Sequence, residues 1–134
     1  MEPSENAKLI LVIDDDDKVR EFMTFLVQEE GYRVECARDG EDGYQKAGRL
    51  KPDLILLDLM MPHYGGFEVL RQLQLGELTR IPIVVVTGRY IDRSTAEMIR
   101  QESNVVDFLE KPFKPNVLAA ALHRILDAEP GGAV

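Results

Sequence analysis

Five short apolar segments, each followed by a segment with helical periodicity, restrict the fold of this chain more than any other feature. The segments begin near residues 9, 32, 54, 83 and 105. Strict alternation of strand and helix favours right-handed crossovers and a parallel sheet. The pattern therefore predicts an α/β fold, a flavodoxin-like (βα)5 three-layer sandwich. It is compatible with the strand order 2-1-3-4-5 without fixing that order.

The five segments differ in how apolar they are. The first, third and fourth are almost purely apolar, which is typical of strands that are buried on both faces in the middle of a sheet. The second alternates, with Tyr32, Val34 and Cys36 on one side and Arg33 and Glu35 on the other. A strand with one wet face belongs at an edge. We expect one domain over residues 8–127, a flexible N-terminal tail over 1–7, and a C-terminal tail or linker stub over 128–134.

Charge and apolar content exclude several classes of function. The 134 residues carry a net charge of −8 with no basic stripe, so we expect no direct binding to nucleic acid. The first seven residues have no apolar core, and the longest apolar runs are about five residues, far too short to cross a bilayer. The single cysteine, Cys36, excludes an internal disulfide. These features favour a cytoplasmic protein without a membrane partner.

Polar residues follow the apolar segments, and a parallel sheet would bring them to one edge. In chain order they are Asp14 and Asp15, then Asp58, then Thr87, and finally Lys111. Three clustered carboxylates repel one another unless a cation compensates them, and their oxygens suit Mg²⁺. A lysine and a hydroxyl supply the donors that a phosphoryl group needs. Since the chain has no P-loop signature, the carboxylate of Asp58 is the candidate nucleophile, which would form an acyl phosphate.

These motifs also identify a family. The acidic run in VIDDDD, the central LLDLMMP, and the later VVVTG and FLEKPF resemble the receiver domain of bacterial two-component response regulators, over about Lys8 to Leu126. The resemblance implies that Asp58 is the phosphoacceptor. Its donor would be a phosphohistidine on a sensor histidine kinase or a histidine phosphotransfer protein. The chain would then be a signalling domain and not an enzyme, apart from self-phosphorylation and slow autodephosphorylation.

The resemblance assigns further residues to roles. Mg²⁺ would be held by Asp15, Asp58 and the backbone carbonyl of Met60, with Asp14 acting through water. Thr87 and Lys111 would bind phosphoryl oxygens, and Phe108 would be the aromatic that turns inward when Thr87 moves. Met60 and Arg89 would set the phosphoryl lifetime, and we expect it to be long. The kinase would dock on residues of the first helix and of the loop before the last helix, namely Val19, Phe22, Met23, Pro112 and Phe113.

Partners beyond the kinase follow from the same resemblance. We expect the chain to act by protein contact on a downstream target or an output domain, as a monomer or a weak phosphorylation-dependent dimer. Asn104-Val105 replaces the family's common Gly-Ala before the fifth strand, and the interval from Thr87 to Lys111 is longer than usual. A haloacid-dehalogenase-like phosphatase would need an acid where this chain has Met60. The alternative is a pseudo-receiver that only binds partners, although such proteins usually lack one of the site residues.

Overall fold

The computed structural model describes residues 4–61, 66–88, 92–102 and 104–127. In these ranges, five strands alternate with five α-helices. The strands are β1 (Leu9–Ile13), β2 (Arg33–Ala37), β3 (Leu54–Asp58), β4 (Ile83–Thr87) and β5 (Val105–Glu110). The helices are α1 (Asp17–Glu29), α2 (Gly40–Leu50), α3 (Gly66–Gln72), α4 (Arg93–Arg100) and α5 (Pro115–Leu126), with a 3-10 helix at Gly76–Arg80.

The strands form one parallel sheet in the order β2-β1-β3-β4-β5. This confirms the predicted fold and selects the strand order that the sequence pattern had left open. β3 and β4 are buried along their full length, whereas β2 lies at one edge and exposes Arg33 and Glu35, as its alternation predicts. In the described ranges, no helix is long and apolar enough to span a bilayer.

Two apolar cores cover the two faces of the sheet, because alternate residues of a strand point to opposite faces. Leu11, Ile55 and Val85 pack on one side with residues of α2, α3 and α4. Val12 and Leu56 pack on the other side with residues of α1 and α5. Burial of both faces holds the ends of the central strands in a fixed position. Side chains at those ends are therefore positioned by the core of the protein.

Helix α1 buries only part of its apolar face. Met23 and Val27 are buried, whereas Val19 and Leu26 are only partly covered and Phe22 is 45% exposed. Met23 is 1% exposed, so a partner protein cannot reach it, and its predicted role in docking is wrong. Adjacent residues of the apolar face differ in burial because neighbouring residues point about 100° apart on a helix.

The start of β5, next to the unusual Asn104-Val105 pair, is irregular. Ile83 pairs with Val105 but Val84 pairs with Asp107, so Val106 is an extra residue in β5. The buried side chain of Asn104 donates from Nδ2 to the carbonyl of Ile81 at 3.0 Å, and its Oδ1 accepts from Gln74 at 2.6 Å. This bulge absorbs one residue of the lengthened interval between Thr87 and Lys111.

Candidate functional site

The carboxyl edge of the sheet gathers the polar residues that the sequence analysis singled out. Asp14 follows β1, Asp58 ends β3, Thr87 ends β4, and Lys111 follows β5. The exposed fractions of Asp14, Asp58 and Thr87 are 1%, 4% and 3%, so the strands carry these polar groups into the interior. The backbone N–H of Lys111 donates to the carbonyl of Thr87 at 2.7 Å, which keeps the two strand ends level despite the bulge.

The four consecutive aspartates after β1 occupy four different environments. Asp14 points into the protein, and its Oδ1 accepts the backbone N–H of Asp16 at 2.9 Å. Asp15 is exposed at the mouth of the site. Asp16 is the N-cap of α1, where its carboxylate accepts the N–H groups of Lys18 and Val19. Asp17 forms an ion pair with Arg20. Only the first two aspartates are therefore placed for chemistry at the sheet edge.

Lys111 supplies positive charge between the two buried carboxylates. Its Nζ lies 2.7 Å from Oδ2 of Asp14 and 3.6 Å from Oδ2 of Asp58. Burial opposes the charged form of Lys111, but the hydrogen bonds and attraction of Asp14 and Asp58 outweigh burial, so the pKa of the lysine is raised. Lys111 is therefore a permanent cation of this site at neutral pH.

The carboxylate of Asp58 is held in one orientation and is short of compensating charge. Its Oδ1 accepts the backbone N–H of Met60 at 3.0 Å. Burial raises the pKa of Asp58, and the nearby carboxylates of Asp14 and Asp15 raise it further, while the Met60 N–H and Lys111 oppose them. On balance, the pKa of Asp58 is raised. One lysine does not offset the charge of three acids in a desolvated site, and a further cation would relieve the excess.

The arrangement of the acids fits a divalent ion. One carboxylate oxygen from each of Asp14, Asp15 and Asp58 lies within 4.8 Å of the others, so a single ion can reach all three. Hard oxygen donors of this kind, with an exposed side on which water can remain, suit Mg²⁺. The donor set and the unbalanced negative charge therefore agree with the predicted cofactor.

The remaining predicted residues lie around this edge or outside the described ranges. The ring of Phe108 on β5 is half-buried, and the guanidinium of Arg100 lies 4.7 Å from its centroid. The side chain of Met60 is exposed beside the site. The peptide bond between Lys111 and Pro112 is cis. Arg89 is outside the described residues, so its predicted role stays a prediction.

Sequence reasoning missed two residues of α1. Nη1 of Arg20 donates to the backbone carbonyl of Asp14 at 2.6 Å. The spacing from Asp17 to Arg20 places opposite charges on one side of a helix, which predicts their ion pair but not the contact with the carbonyl. Phe25 is among the most exposed apolar side chains of the described chain, on the same helix as the proposed docking residues.

Comparisons with known proteins agree with this geometry. The profile of the family described as response regulator receiver domain matches residues 10–123. The alkaline phosphatase synthesis transcriptional regulatory protein PhoP of Bacillus subtilis is 36% identical over 119 residues, which cover 89% of this chain and 48% of PhoP. The chain therefore belongs to the family of response regulator receiver domains. It spans about half the length of the curated relatives it matches.

Solved structures support the same assignment. The chemotaxis protein CheY4 of Vibrio cholerae superposes with a TM-score of 0.80 at 28% identity, covering 90% of this chain and 99% of that one. The receiver domain of the sensor histidine kinase PA1611 from Pseudomonas aeruginosa gives a TM-score of 0.80 at 28% identity, covering 90% and 98%. The PA1611 structure holds a magnesium ion in its active-site cleft.

Proposed function

We propose that Asp58 accepts a phosphoryl group from a phosphohistidine on a sensor histidine kinase or histidine phosphotransfer protein, in a reaction that requires Mg²⁺. The observation that carries this proposal is the placement of the Asp58 carboxylate at the end of the central strand. The Met60 N–H fixes one of its oxygens, and the ammonium group of Lys111 lies 3.6 Å from the other. A carboxylate oxygen would attack phosphorus as the bond from phosphorus to the histidine nitrogen breaks.

The acids would bind Mg²⁺ in two ways, directly or through water. Asp15, Asp58 and the carbonyl of Met60 would hold Mg²⁺ directly, and Asp14 would act through a water molecule. When bound, Mg²⁺ neutralises the carboxylates and the incoming phosphoryl oxygens. The raised pKa of Asp58, caused first by burial and then by Asp14 and Asp15, is consistent with a site that requires this additional charge.

Lys111 and Thr87 would bind the transferred group. In the structure Lys111 is hydrogen-bonded to Asp14, and it lies within reach of a phosphoryl group on Asp58. The ammonium group of Lys111 would turn from Asp14 to an oxygen of a phosphoryl group on Asp58. The hydroxyl of Thr87, at the end of the neighbouring strand, would donate to another oxygen. Movement of Thr87 would let Phe108 turn inward and change the surface that other proteins contact.

Kinase docking would use an apolar surface beside the site. The rings of Phe22 and Phe113 lie 6.4 Å apart, which joins α1 to the loop before α5. Val19 and Pro112 extend this surface, and Met23 is omitted because it is buried. The downstream element would be a protein target or an output domain, reached in the cytoplasm by a monomer or a weak dimer that forms on phosphorylation.

The acyl phosphate on Asp58 would be long-lived. Hydrolysis requires a water molecule in line behind phosphorus. The thioether of Met60, exposed next to Asp58, is only a weak hydrogen-bond acceptor and does not orient water. Arg89 would shield the phosphoryl oxygens in addition. A time course of phosphate release from the wild type and from a Met60→Asn, Arg89→Glu double variant tests this, since the double variant should lose phosphate much faster. Equal decay would remove the support for shielding.

The proposal is tested by labelling with a small phosphodonor. Incubation with acetyl phosphate and Mg²⁺ should add one phosphoryl mass to the wild type, and chelation of Mg²⁺ should prevent it. Asp58→Asn should abolish labelling. Asp53→Asn is the matched control, because Asp53 lies at the opposite, amino end of the same strand. This variant should be labelled normally. Labelling of Asp58→Asn at the wild-type level would refute the assignment.

A further inference from the structure

Arg20 makes two contacts that the proposed chemistry does not use. Its Nη1 donates to the carbonyl of Asp14 at 2.6 Å, and its Nη2 is paired with the carboxylate of Asp17. The side chain of Arg20 is 16% exposed, whereas that of Asp17 is 84% exposed. An arginine that is largely withdrawn from water and directed at a backbone carbonyl is ordered by that contact. A solvated arginine that only balances helix charge would be far more exposed.

The carbonyl that Arg20 contacts belongs to the peptide group joining Asp14 to Asp15. Every polar atom of Asp14 is held in the structure. Its N–H donates to the carbonyl of Ala37 at 3.1 Å, its Oδ1 accepts from Asp16, and its Oδ2 accepts from Lys111 at 2.7 Å. Arg20 holds the fourth group, the carbonyl oxygen. Because a peptide group is planar, fixing this carbonyl also fixes the direction in which the chain enters Asp15.

Asp15 depends on its backbone for its position. Within the described ranges no hydrogen bond or ion pair restrains its carboxylate, and the side chain is exposed. Yet one of its oxygens lies in the same group as oxygens of Asp14 and Asp58. An exposed carboxylate without partners can occupy several rotamers, and a metal ion would have to select one of them. A rigid peptide group before Asp15 fixes the place from which its side chain starts, so that only the side-chain torsions remain to be ordered by the ion.

We infer that Arg20 is a positioning residue for the metal site. It orders the Asp14–Asp15 peptide group through the Asp14 carbonyl, so that the Asp15 carboxylate is presented to Mg²⁺. Since Nη2 is paired with Asp17, the guanidinium group does not occupy the carboxylates that would bind the ion. This inference rests on the proposed Mg²⁺ site. It adds a residue that acts on the ion through the backbone and touches neither the ion nor the phosphoryl group.

Electrostatics alone predicts the opposite effect of removing Arg20. A positive charge close to a cation site repels the cation, so loss of the guanidinium should strengthen Mg²⁺ binding if the residue acts only as a charge. Loss of a positioning contact should weaken binding. For residues that orient metal ligands, this loss is typically about tenfold or more in affinity. The sign of the change in affinity therefore separates the two roles.

The test is calorimetric titration of Mg²⁺ into the folded full chain. Arg20→Met keeps most of the aliphatic stem and removes the donors, and it should raise the dissociation constant for Mg²⁺ by about tenfold. Arg20→Lys keeps the charge without the paired donors and should also weaken binding. Lys18→Met is the matched control, because Lys18 is an exposed cation next to the same aspartates. Among the described residues, no hydrogen bond or ion pair joins its side chain to Asp14. This variant should leave binding unchanged or strengthen it.

The outcomes separate this inference from the proposed function. If the wild type binds no Mg²⁺, the proposed metal site itself is wrong. If the wild type binds Mg²⁺ and Arg20→Met binds it equally well or more tightly, the site stands and the role of Arg20 is refuted. Urea unfolding of each variant without Mg²⁺ confirms that the titrations report on folded protein. A purely structural role would lower the free energy of unfolding and leave the dissociation constant of the folded state unchanged.

Discussion

Two clusters of ionisable side chains in this molecule shift the pKa of one of their acids in opposite directions. The edge cluster contains Asp14, Asp15, Asp58 and Lys111. The surface cluster contains Glu30, Tyr32, His123 and Asp127, where α1 and α5 end. In both, carboxylates surround a cationic group. Yet the pKa of Asp58 is raised, by burial first of all, and the pKa of Asp127 is lowered, chiefly by its hydrogen bond with His123.

The geometry of the surface cluster explains the contrast. Nε2 of His123 lies 2.7 Å from Oε1 of Glu30, and the hydroxyl of Tyr32 donates to Oδ1 of Asp127 at 3.0 Å. Nδ1 of His123 faces both Tyr32 and Asp127. The pKa of His123 is raised by its hydrogen bonds to Asp127 and Glu30, against a small effect of burial. In the surface cluster, water and partners of opposite charge stabilise the charged groups. In the edge cluster, burial leaves an excess of negative charge that is poorly solvated, and a metal ion can offset it.

The largest expected effect comes from removing Lys111. Lys111→Met leaves Asp14 and Asp58 buried without a counter-charge, and it should lower the free energy of unfolding by about 3 kcal/mol, as for other broken buried pairs. The matched control is Lys51→Met, which breaks the exposed pair with Glu77 and should cost less than about 1 kcal/mol. Urea unfolding in a chelating buffer measures both. Equal losses would show that burial does not distinguish the two pairs.

Mg²⁺ should stabilise the fold by binding the edge cluster. Binding to the native state alone contributes about 2.7 kcal/mol when the free ion is at a hundred times its dissociation constant. Thermal unfolding with and without Mg²⁺ should show this increment in the wild type and lose most of it in Asp15→Ala. Asp39→Ala removes the N-cap of α2, so it should cost about 1 kcal/mol and keep the whole increment. An increment retained in full by Asp15→Ala would exclude Asp15 as a ligand.

The same substitution should have opposite signs in the two clusters. Without Mg²⁺ at neutral pH, Asp58→Asn should raise the free energy of unfolding, because it removes a charge that the folded state disfavours. Asp127→Asn should lower it, because the folded state favours the ionised form of Asp127. Chemical unfolding of both variants at one pH is sufficient. A change of the same sign in both would contradict the comparison.

The smallest effect concerns pH and His123. Its pKa is raised in the folded state, so the stability it contributes is complete below its ordinary pKa of about 6.5 and is lost as the pH rises through the folded value. The facing groups are Glu30 of the α1 C-cap, Tyr32 before β2, and Asp127 after α5. Because the side chain of His123 is 43% exposed, the contribution should stay below about 1 kcal/mol. Unfolding of the wild type and His123→Gln from about pH 6 to pH 9 should converge at the alkaline end. Parallel curves would rule out this contribution.

Much of the candidate site could be predicted from the sequence because it depends on local rules. Strand periodicity and the parallel sheet bring Asp14, Asp58, Thr87 and Lys111 to one edge whichever strand order is chosen. The N-caps at Asp16 and Asp39 follow from short-range chemistry in the same way. These features need only the neighbouring residues and the class of the fold.

The rest depends on contacts between distant residues. The bulge at Val106 follows from hydrogen bonds of Asn104 to residues more than twenty positions away. The burial of Met23, and the exposure of Phe25 that goes with it, are decided by how α1 packs on the sheet and on α5. No pattern of residue types in the sequence predicts the contact of Arg20 with a backbone carbonyl. Periodicity predicts which stripe of a helix faces inward, but not which of two adjacent residues is covered.

The most direct test of the central claim is to locate the acyl phosphate chemically. The wild type would be phosphorylated with acetyl phosphate and Mg²⁺ and then reduced with borohydride, which converts an aspartyl phosphate to homoserine. Peptide mass mapping should find this conversion at Asp58 and not at Asp14 or Asp15, and Lys111→Met should reduce its yield. Conversion at another aspartate, or none in protein that binds Mg²⁺, would contradict the assignment of the carboxyl edge as the phosphoryl acceptor.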